Sequence, residues 1–298
     1  MAARICARLE INLREETCHD NAAIPPGGTR RRRAARRRHA WPGQGTGNRS
    51  LERGLDVLRA FRPGTEYLTN GDLSDLLGLA KSTVSRLTQT LVRTGFLDYD
   101  GGRSAYRLAP TFLGLAHAMH QGSSLLQAAS PLMVKVARQH QVNVSLAAAD
   151  RDEMIYLESI RLSQRKTPRN VLVGQRLPMD ITSLGRACLA ALGEAQRETL
   201  IATFCARRCE ARRAPLEQEI RAAIASVRHK GYCLAAWQPE VVAIATPLGL
   251  PGYRTHALNI SLATPLSEAE IEERYAGVLL ELAREIRAAC GGDPGALK

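Results

Sequence analysis

The sequence predicts an α+β fold of two domains, a small helical one followed by a larger one that mixes helices and strands. Three observations support this. Apolar residues recur at helical spacing from residue 51 to residue 91, a glycine-rich hairpin signal follows them, and helix-like and strand-like segments alternate after residue 123. The chain has 298 residues, 45% of them hydrophobic, so it can build two cores.

The first predicted element is a helix with Ser50 as its N-cap and Pro63-Gly64 as its stop signal. Its apolar face is formed by Leu51, Leu55, Leu58 and Phe61. A second, short helix is predicted from the i, i+3, i+4 spacing of Leu73, Leu76 and Leu77.

A helix-turn-helix is predicted where Gly78 joins the short helix to a longer one, because glycine provides the backbone freedom that the sharp turn requires. Gly95 ends the longer helix, and its buried face is formed by Val84, Leu87 and Leu91. The opposite face carries cations, hydroxyls and an amide, which contact phosphates and base edges in DNA complexes. These candidate DNA contacts are Lys81, Ser82, Thr83, Ser85, Arg86 and Gln89.

A β-hairpin is predicted directly after this helix, because Asp100-Gly101-Gly102 separates two short runs of β-prone residues. A hairpin in this position is the wing of a winged helix-turn-helix, for which we expect the bounds 49–108. Arg103 lies at or just past the tip, where a cation can reach a phosphate or the minor groove. The expected partner is therefore double-stranded DNA.

The rest of the chain predicts a linker helix over 109–122, a sheet domain over 123–290 and a C-terminal tail over 291–298. Helices are expected at 125–139, 184–192, 195–204, 216–229 and 268–289. Strands are expected at 142–147, 154–160, 231–232, 241–245 and 257–262. An antiparallel sheet with packed helices is the arrangement of a GAF-like sensor domain.

The start of one of these helices, at Thr182-Ser183-Leu184-Gly185, is the candidate ligand site. The first amides of a helix have no intrahelical partner and carry positive partial charge, which suits a carboxylate. Gly185 has no Cβ to block close approach. An ordinary serine N-cap is the simpler explanation on the residues alone.

Several motifs occur in a characteristic order: Ser50–Leu58, Leu79–Leu87, Tyr106–Leu108, Leu113–Leu115, Val173-Gly174, Leu177–Met179, Thr182–Ala190 and Ala243–Pro247. Over residues 49 to about 290, the chain resembles the IclR-type transcriptional regulators. It departs from their pattern at Ala80, Arg186 and Pro239-Glu240-Val241, where the family often has proline, lysine and a glycine-containing stretch.

The resemblance implies a sequence-specific regulator that forms a dimer or a dimer of dimers and binds a near-palindromic operator. It also implies that a small organic acid, bound in the C-terminal domain, changes the operator affinity. Carried over by position, Ser183, Leu184, Ala243 and Ser261 would face this effector. Trp237, expected in the loop before Ala243, forms an apolar wall of the pocket or packs in the core.

The net charge of +12 is unevenly distributed, because residues 1–48 hold ten arginines against four acidic residues. This arginine-rich segment predicts a disordered tail that contacts phosphates non-specifically, has no role, or results from a misassigned start site. There is no apolar run of membrane-spanning length and no secretory signal, and the seven cysteines have no disulfide spacing. We therefore expect a cytoplasmic protein with no membrane partner.

No cofactor and no metal are expected, because Cys205 and Cys209 lack a further histidine or cysteine pair at ligand spacing. Two other function classes remain open. One is an effector-independent architectural DNA binder. The other is a thiol-dependent enzyme with a GAF-like domain, which would use Cys188, Cys205, Cys209 or Cys233. No hydrolase, zinc-protease or P-loop motif is present, and an enzyme does not explain the helix-turn-helix, so no catalytic residue is expected.

Overall fold

The computed structural model describes residues 47–163, 172–238, 241–250, 252 and 254–291. The predicted arginine-rich tail, up to residue 46, and the C-terminal residues 292–298 lie outside this range. The chain divides into two compact units between Met119 and His120. The domain bounds given above stay a prediction.

The N-terminal unit contains three helices and a small antiparallel sheet, followed by one further helix. Its elements are α1 (Arg49–Ala60), β1 (Leu68–Thr69), α2 (Asn70–Leu77), α3 (Lys81–Arg93), β2 (Leu97–Asp100), β3 (Ala105–Leu108) and α4 (Thr111–Gln121). The strand order is β1-β3-β2. The predicted linker helix corresponds to α4, which crosses the boundary between the units.

Local side-chain chemistry sets the ends of these helices. Asn48, and not Ser50 as predicted, caps α1, since its Oδ1 accepts hydrogen bonds from the amides of Ser50 and Leu51. Gly78 ends α2 with a left-handed φ of 63°, as the turn requires. Val57, Leu73, Val84 and Leu97 are among the residues that form the core of the unit, whereas Leu76, expected to be buried, is 52% exposed.

The C-terminal unit contains one antiparallel sheet with helices on both faces. Its elements are α5 (Ser124–His140), β4 (Asn143–Asp150), β5 (Glu153–Arg161), β6 (Arg176–Pro178), α6 (Ser183–Ala191), α7 (Glu194–Ala206), α8 (Glu210–Lys230), β7 (Cys233–Gln238), β8 (Val241–Leu248), β9 (His256–Ala263) and α9 (Glu268–Ala289). The strand order is β6-β5-β4-β9-β8-β7. Helices α5 and α9 pack on one face, and α6 and α8 on the other.

Several predicted bounds in this unit differ from the structure, and the largest differences concern α8 and β7. Helix α8 begins at Glu210, and not at Leu216 as predicted, and it contains Pro215. Gly231 ends α8 with a φ of 85°, so the next strand begins at Cys233 and not at Gly231. Trp237 therefore lies in β7 and not in a loop, and its side chain lies outside the described part of the structure.

The α+β fold with an N-terminal helix-turn-helix and a C-terminal antiparallel sheet is confirmed. Among the described helices, none combines the length and the hydrophobicity needed to cross a membrane.

Candidate functional site

Helix α3 presents the candidate DNA contacts on its outer face. Lys81, Ser82, Arg86 and Gln89 are exposed, and Thr83 and Ser85 are half-buried. The helix contains three cations and no acidic residue. This face therefore offers hydrogen-bond donors to a duplex, together with positive charge that no carboxylate of the helix opposes.

The inner face of α3 explains why the helix has this orientation. Val84 and Thr88 are fully buried. Thr88 is polar, and its hydroxyl donates to the carbonyl of Val84 at 3.0 Å, so it is buried at little cost. The sequence pattern pointed to Leu87 and Leu91 instead, which are only half-buried.

The wing holds Arg103 at its tip. The backbone amide of Arg103 donates to Asp100 Oδ1, and its guanidinium lies 3.6 Å from the same carboxylate and 4.7 Å from the ring centroid of Tyr67. The side chain is still mostly exposed. Because exposed ion pairs are weak, a phosphate can compete for this guanidinium.

Thr182, and not Ser183, is the N-cap of α6. Its hydroxyl accepts from the amide of Gly185 at 3.2 Å and donates to the carbonyl of Pro178 at 2.6 Å. Ser183 is thus the first helical residue and is 1% exposed. Its carbonyl accepts from the Cys233 thiol at 3.6 Å, which ties the helix start to β7.

Gly185 has a different role from the expected one. A Cβ at this position would lie 2.2 Å from the carbonyl oxygen of Met179 and 2.3 Å from its Cα. The group that approaches Gly185 closely is therefore the chain's own backbone, and not a ligand. Gly185 allows the segment before the helix to pack against the helix start.

Two rows of mostly small and polar side chains cross the sheet on the face that α6 covers. The first row, from β5 to β7, is Arg161, Asn143, Ser261, Ala243 and Ala235. The second row is Ser159, Ser145, Asn259, Ala245 and Cys233. The face is identified by Cys233 and Ala245, which pack in one cluster with Leu184 and Cys188 of α6.

The rows place the predicted effector residues relative to one another. Ala243 and Ser261 are direct cross-strand partners in the first row. Ser183 contacts the end of the second row through Cys233. Leu184, in the first turn of α6, packs in the same apolar cluster as Cys233. These four buried residues share one side of the sheet, and their contact with an effector stays a prediction.

Sequence reasoning missed the polar residues of these rows, Asn143, Ser145, Ser159, Asn259 and Arg161. A signal was present, since polar residues alternate with apolar ones in Asn143-Val144-Ser145 and Asn259-Ile260-Ser261. Such alternation usually marks a strand with one solvated face. Here helices pack on both faces, so the polar side chains are buried.

The amides of Asn143 and Asn259 are only partly satisfied. Asn143 Oδ1 accepts from the amide of Ser163 at 3.1 Å. Within the described ranges, Asn143 Nδ2 and Asn259 Oδ1 are buried side-chain atoms that have no hydrogen-bond partner. Nearby, the hydroxyls of Ser145 and Ser159 are hydrogen-bonded to each other at 3.0 Å.

Arg161 ends the first row as a half-buried cation. Burial lowers the pKa of its guanidinium, although the group stays charged at neutral pH.

The buried cysteines are not suited to act as nucleophiles. Burial raises the pKa of Cys188 and of Cys233 to about 12, and it also raises the pKa of Cys205. Thiols of this kind are protonated at neutral pH and are poor nucleophiles. In the described part of the chain, no group of three or more histidine, cysteine or acidic residues could hold a metal ion.

Two family models match the chain. The IclR helix-turn-helix domain matches residues 50–101, and the bacterial transcriptional regulator IclR C-terminal domain matches residues 117–288. The Pca regulon regulatory protein of Pseudomonas putida is 28% identical over 241 residues, which are 80% of this chain and 82% of that protein.

Solved structures show the same fold. An IclR-family transcriptional regulator from Brucella abortus is 34% identical, with a TM-score of 0.75 over 82% of this chain and 93% of that one. An IclR homologue from Microbacterium hydrocarbonoxydans, complexed with 4-hydroxybenzoate, is 22% identical, with a TM-score of 0.59 over 81% and 99%. The related proteins are named as transcriptional regulators, which indicates a family of non-enzymatic regulators. With its helix-turn-helix and its C-terminal sheet domain both matched, the chain belongs to the IclR family of DNA-binding transcriptional regulators.

Proposed function

We propose that the chain is a self-associating regulator whose affinity for a near-palindromic operator changes when a small organic acid binds its GAF-like C-terminal unit. The observation that carries this proposal is the start of α6, which contacts one of two rows of mostly buried small and polar side chains on the sheet. A sheet covered by helices on both faces has no structural need for such residues.

The DNA-binding half rests on α3 and the wing. Their exposed cations, hydroxyls and amide are the groups that contact a duplex. Because a helix-turn-helix reads one half-site, a dimer should bind two half-sites spaced by whole helical turns.

The effector half rests on two features of the C-terminal unit. The amides at the start of α6 favour negative charge, and Ala243 and Ala245 leave an apolar floor between them. The homologue complexed with 4-hydroxybenzoate binds an organic acid of the proposed class. Because the proposed effector site and the DNA-binding helix belong to different units, we infer that the effector acts by binding one arrangement of the dimer more tightly than another.

The test uses the full-length chain and an operator selected from random duplex DNA. Fluorescence anisotropy would measure operator affinity with and without each member of a panel of aromatic and aliphatic carboxylic acids. We expect at least one acid to change the affinity by about 5- to 150-fold. Sedimentation would give the oligomeric state, and the selected sites should be near-palindromic.

A matched pair of variants tests the site. Ala243→Val adds two methyl groups to the first row and should abolish the response to the acid while preserving operator affinity. Ala236→Val makes the same change at an exposed position of β7 and should leave the response intact. If no acid changes operator affinity, the chain is an effector-independent architectural DNA binder.

A further inference from the structure

One face of the small N-terminal sheet carries a row of polar side chains on three neighbouring strands. Leu68 of β1 pairs with Tyr106 of β3, and both belong to the core of the unit. Because successive side chains of a strand point to opposite faces, Tyr67 and Arg107 lie side by side on the face away from this core. Asp98 of β2 is the direct partner of Arg107 and completes the row.

Tyr67 contacts two arginines through different parts of its side chain. The guanidinium carbon of Arg103, at the tip of the wing, lies 4.7 Å from the centroid of the Tyr67 ring. A cation at this distance is attracted by the face of an aromatic ring. Arg107 Nη1 donates to the hydroxyl of the same tyrosine at 3.4 Å. One side chain therefore holds two guanidiniums, one from the wing tip and one from β3.

Each arginine also has a carboxylate beside it, but these ion pairs leave most of the guanidinium accessible. Arg103 Nε lies 3.6 Å from Asp100, and Arg107 Nε lies 3.3 Å from Asp98. In both pairs the nearest nitrogen is Nε, whereas the two Nη atoms of a guanidinium carry four further N–H donors. The arginine side chains are 66% and 49% exposed. Exposed pairs of this kind are weak, so a duplex can compete for the arginines.

The chemistry of the row fits the DNA backbone. A guanidinium is a planar fork that binds the oxygens of one phosphate through two hydrogen bonds. A side chain that is already held in place loses less conformational freedom when it binds. A residue that holds two arginines can therefore strengthen DNA binding without touching the DNA itself.

We propose that Tyr67 is a positioning residue for DNA binding, whose ring holds Arg103 and whose hydroxyl holds Arg107 so that both guanidiniums bind phosphates of the duplex. Arg107 is then a DNA contact in addition to those predicted from the sequence, which included only Arg103 from the wing. Because every sequence presents phosphates, the pair contributes affinity for any duplex and not a choice of base. All three residues belong to the N-terminal unit, so no effector is involved.

Anisotropy titrations of the full-length chain test the two arginines. The DNAs are the operator selected from random duplexes and a scrambled duplex, each measured over a series of salt concentrations. Arg103→Ala and Arg107→Ala should each weaken binding to both DNAs about equally. Each should also make the salt dependence shallower by about 0.9, because one phosphate contact is lost.

A second set of variants tests the positioning role of Tyr67. Tyr67→Leu changes no charge, but it should weaken binding to both DNAs by about 2- to 5-fold, because the ring no longer holds Arg103. In a chain that already carries Arg103→Ala and Arg107→Ala, it should cause no further loss, since nothing is left to position. A tyrosine with a purely structural role would weaken binding equally in both backgrounds.

The conservative variant Tyr67→Phe separates the ring from the hydroxyl. It keeps the contact with Arg103 and should therefore weaken binding less than Tyr67→Leu does. Its effect should disappear when Arg107→Ala is also present. Thermal unfolding accompanies these titrations, and Tyr67→Phe decides if Tyr67→Leu fails to fold.

Tyr99→Leu is the matched control, because it makes the same change on the opposite face of the hairpin. Tyr99 is 52% exposed, and its ring centroid lies 5.1 Å from that of Tyr106. This variant should leave the DNA affinity and the salt dependence unchanged. An equal loss in Tyr99→Leu and Tyr67→Leu would assign the effect to the hairpin as a whole and contradict the proposal.

Three further results would overturn it. Wild-type binding by Tyr67→Leu, or the same loss with and without the two arginines, would show that Tyr67 positions neither of them. An unchanged salt dependence in Arg107→Ala would remove Arg107 from the phosphate contacts. A loss confined to the operator in both arginine variants would mean that the pair reads a groove and does not bind the backbone.

Discussion

At the residue scale, the packing at the start of α6 depends on the absence of a side chain at Gly185. The backbone of Met179 occupies the space in which any larger residue would place its Cβ, so the start of α6 can sit against it only with glycine. The glycine positions the helix whose first amides form the candidate carboxylate site. Gly185 therefore affects the candidate ligand site by allowing the backbone of Met179 to pack against the start of α6.

We predict that Gly185→Ala destabilises the C-terminal unit by about 1–3 kcal/mol or more, because a rigid backbone must move to admit the methyl group. Denaturant unfolding of the full-length chain measures this. The control is Gly277→Ala, at an exposed position inside α9 where a Cβ meets nothing within 4 Å. It should stabilise the unit by about 0.5–1 kcal/mol. Similar stabilities for the two variants would contradict the close approach.

At the element scale, the sequence predicted the exposed face of helix α3 more accurately than the backbone conformation of the wing turn. The sequence pattern predicted the outer face of α3, because exposure follows the helical period. The wing forms as predicted, with β2 paired to β3, but its left-handed residue is Ser104 at a φ of 49°. Neither Gly101 nor Gly102 has a left-handed φ, so the glycines mark the turn without supplying its special conformation.

We predict that Arg86→Ala weakens binding to the operator by about 1–3 kcal/mol and reduces discrimination between operator and scrambled DNA. The reason is that Arg86 lies at the centre of the exposed face, where it can contact a base edge. Arg93→Ala removes the same charge near the end of α3 and should weaken binding to both DNAs about equally. Anisotropy titrations on the two DNAs measure this, and equal weakening by Arg86→Ala would make Arg86 a phosphate contact.

The charge of the whole molecule is concentrated at one end. Residues 1–46 hold ten arginines, whereas residues 49–108 hold nine basic against seven acidic residues. The DNA-binding unit therefore has little net charge. Its attraction to a duplex depends on the placement of α3, on the tail, or on both.

Deleting residues 1–46 separates these contributions and keeps Asn48, which caps α1. If the tail binds DNA, we expect weaker binding to scrambled DNA and a salt dependence shallower by about 0.9 for each phosphate that the tail neutralises in the full-length chain. Affinities measured over a series of salt concentrations give this slope. An unchanged slope would show that the arginine run takes no part in binding.

The sequence by itself determined the helix-turn-helix, the hairpin after it, the family, and the order of the C-terminal elements except β6, which was not predicted. These depend on local patterns: the helical period of Val84 and its neighbours, the turn at Gly78, and motifs in a fixed order. The sequence predicted the starts of two helices less accurately, since Asn48 caps α1 and Thr182 caps α6 where serines were expected.

The tertiary structure alone decided which side chains meet in the sheet and what Gly185 excludes. Asn143 and Asn259 are more than a hundred residues apart, and only the register of β4 on β9 makes them neighbours. Their unpaired atoms also depend on burial, which requires helices on both faces of the sheet. Local sequence determines the elements because their forces act within a few residues, whereas the site depends on contacts that exist only after the elements have packed.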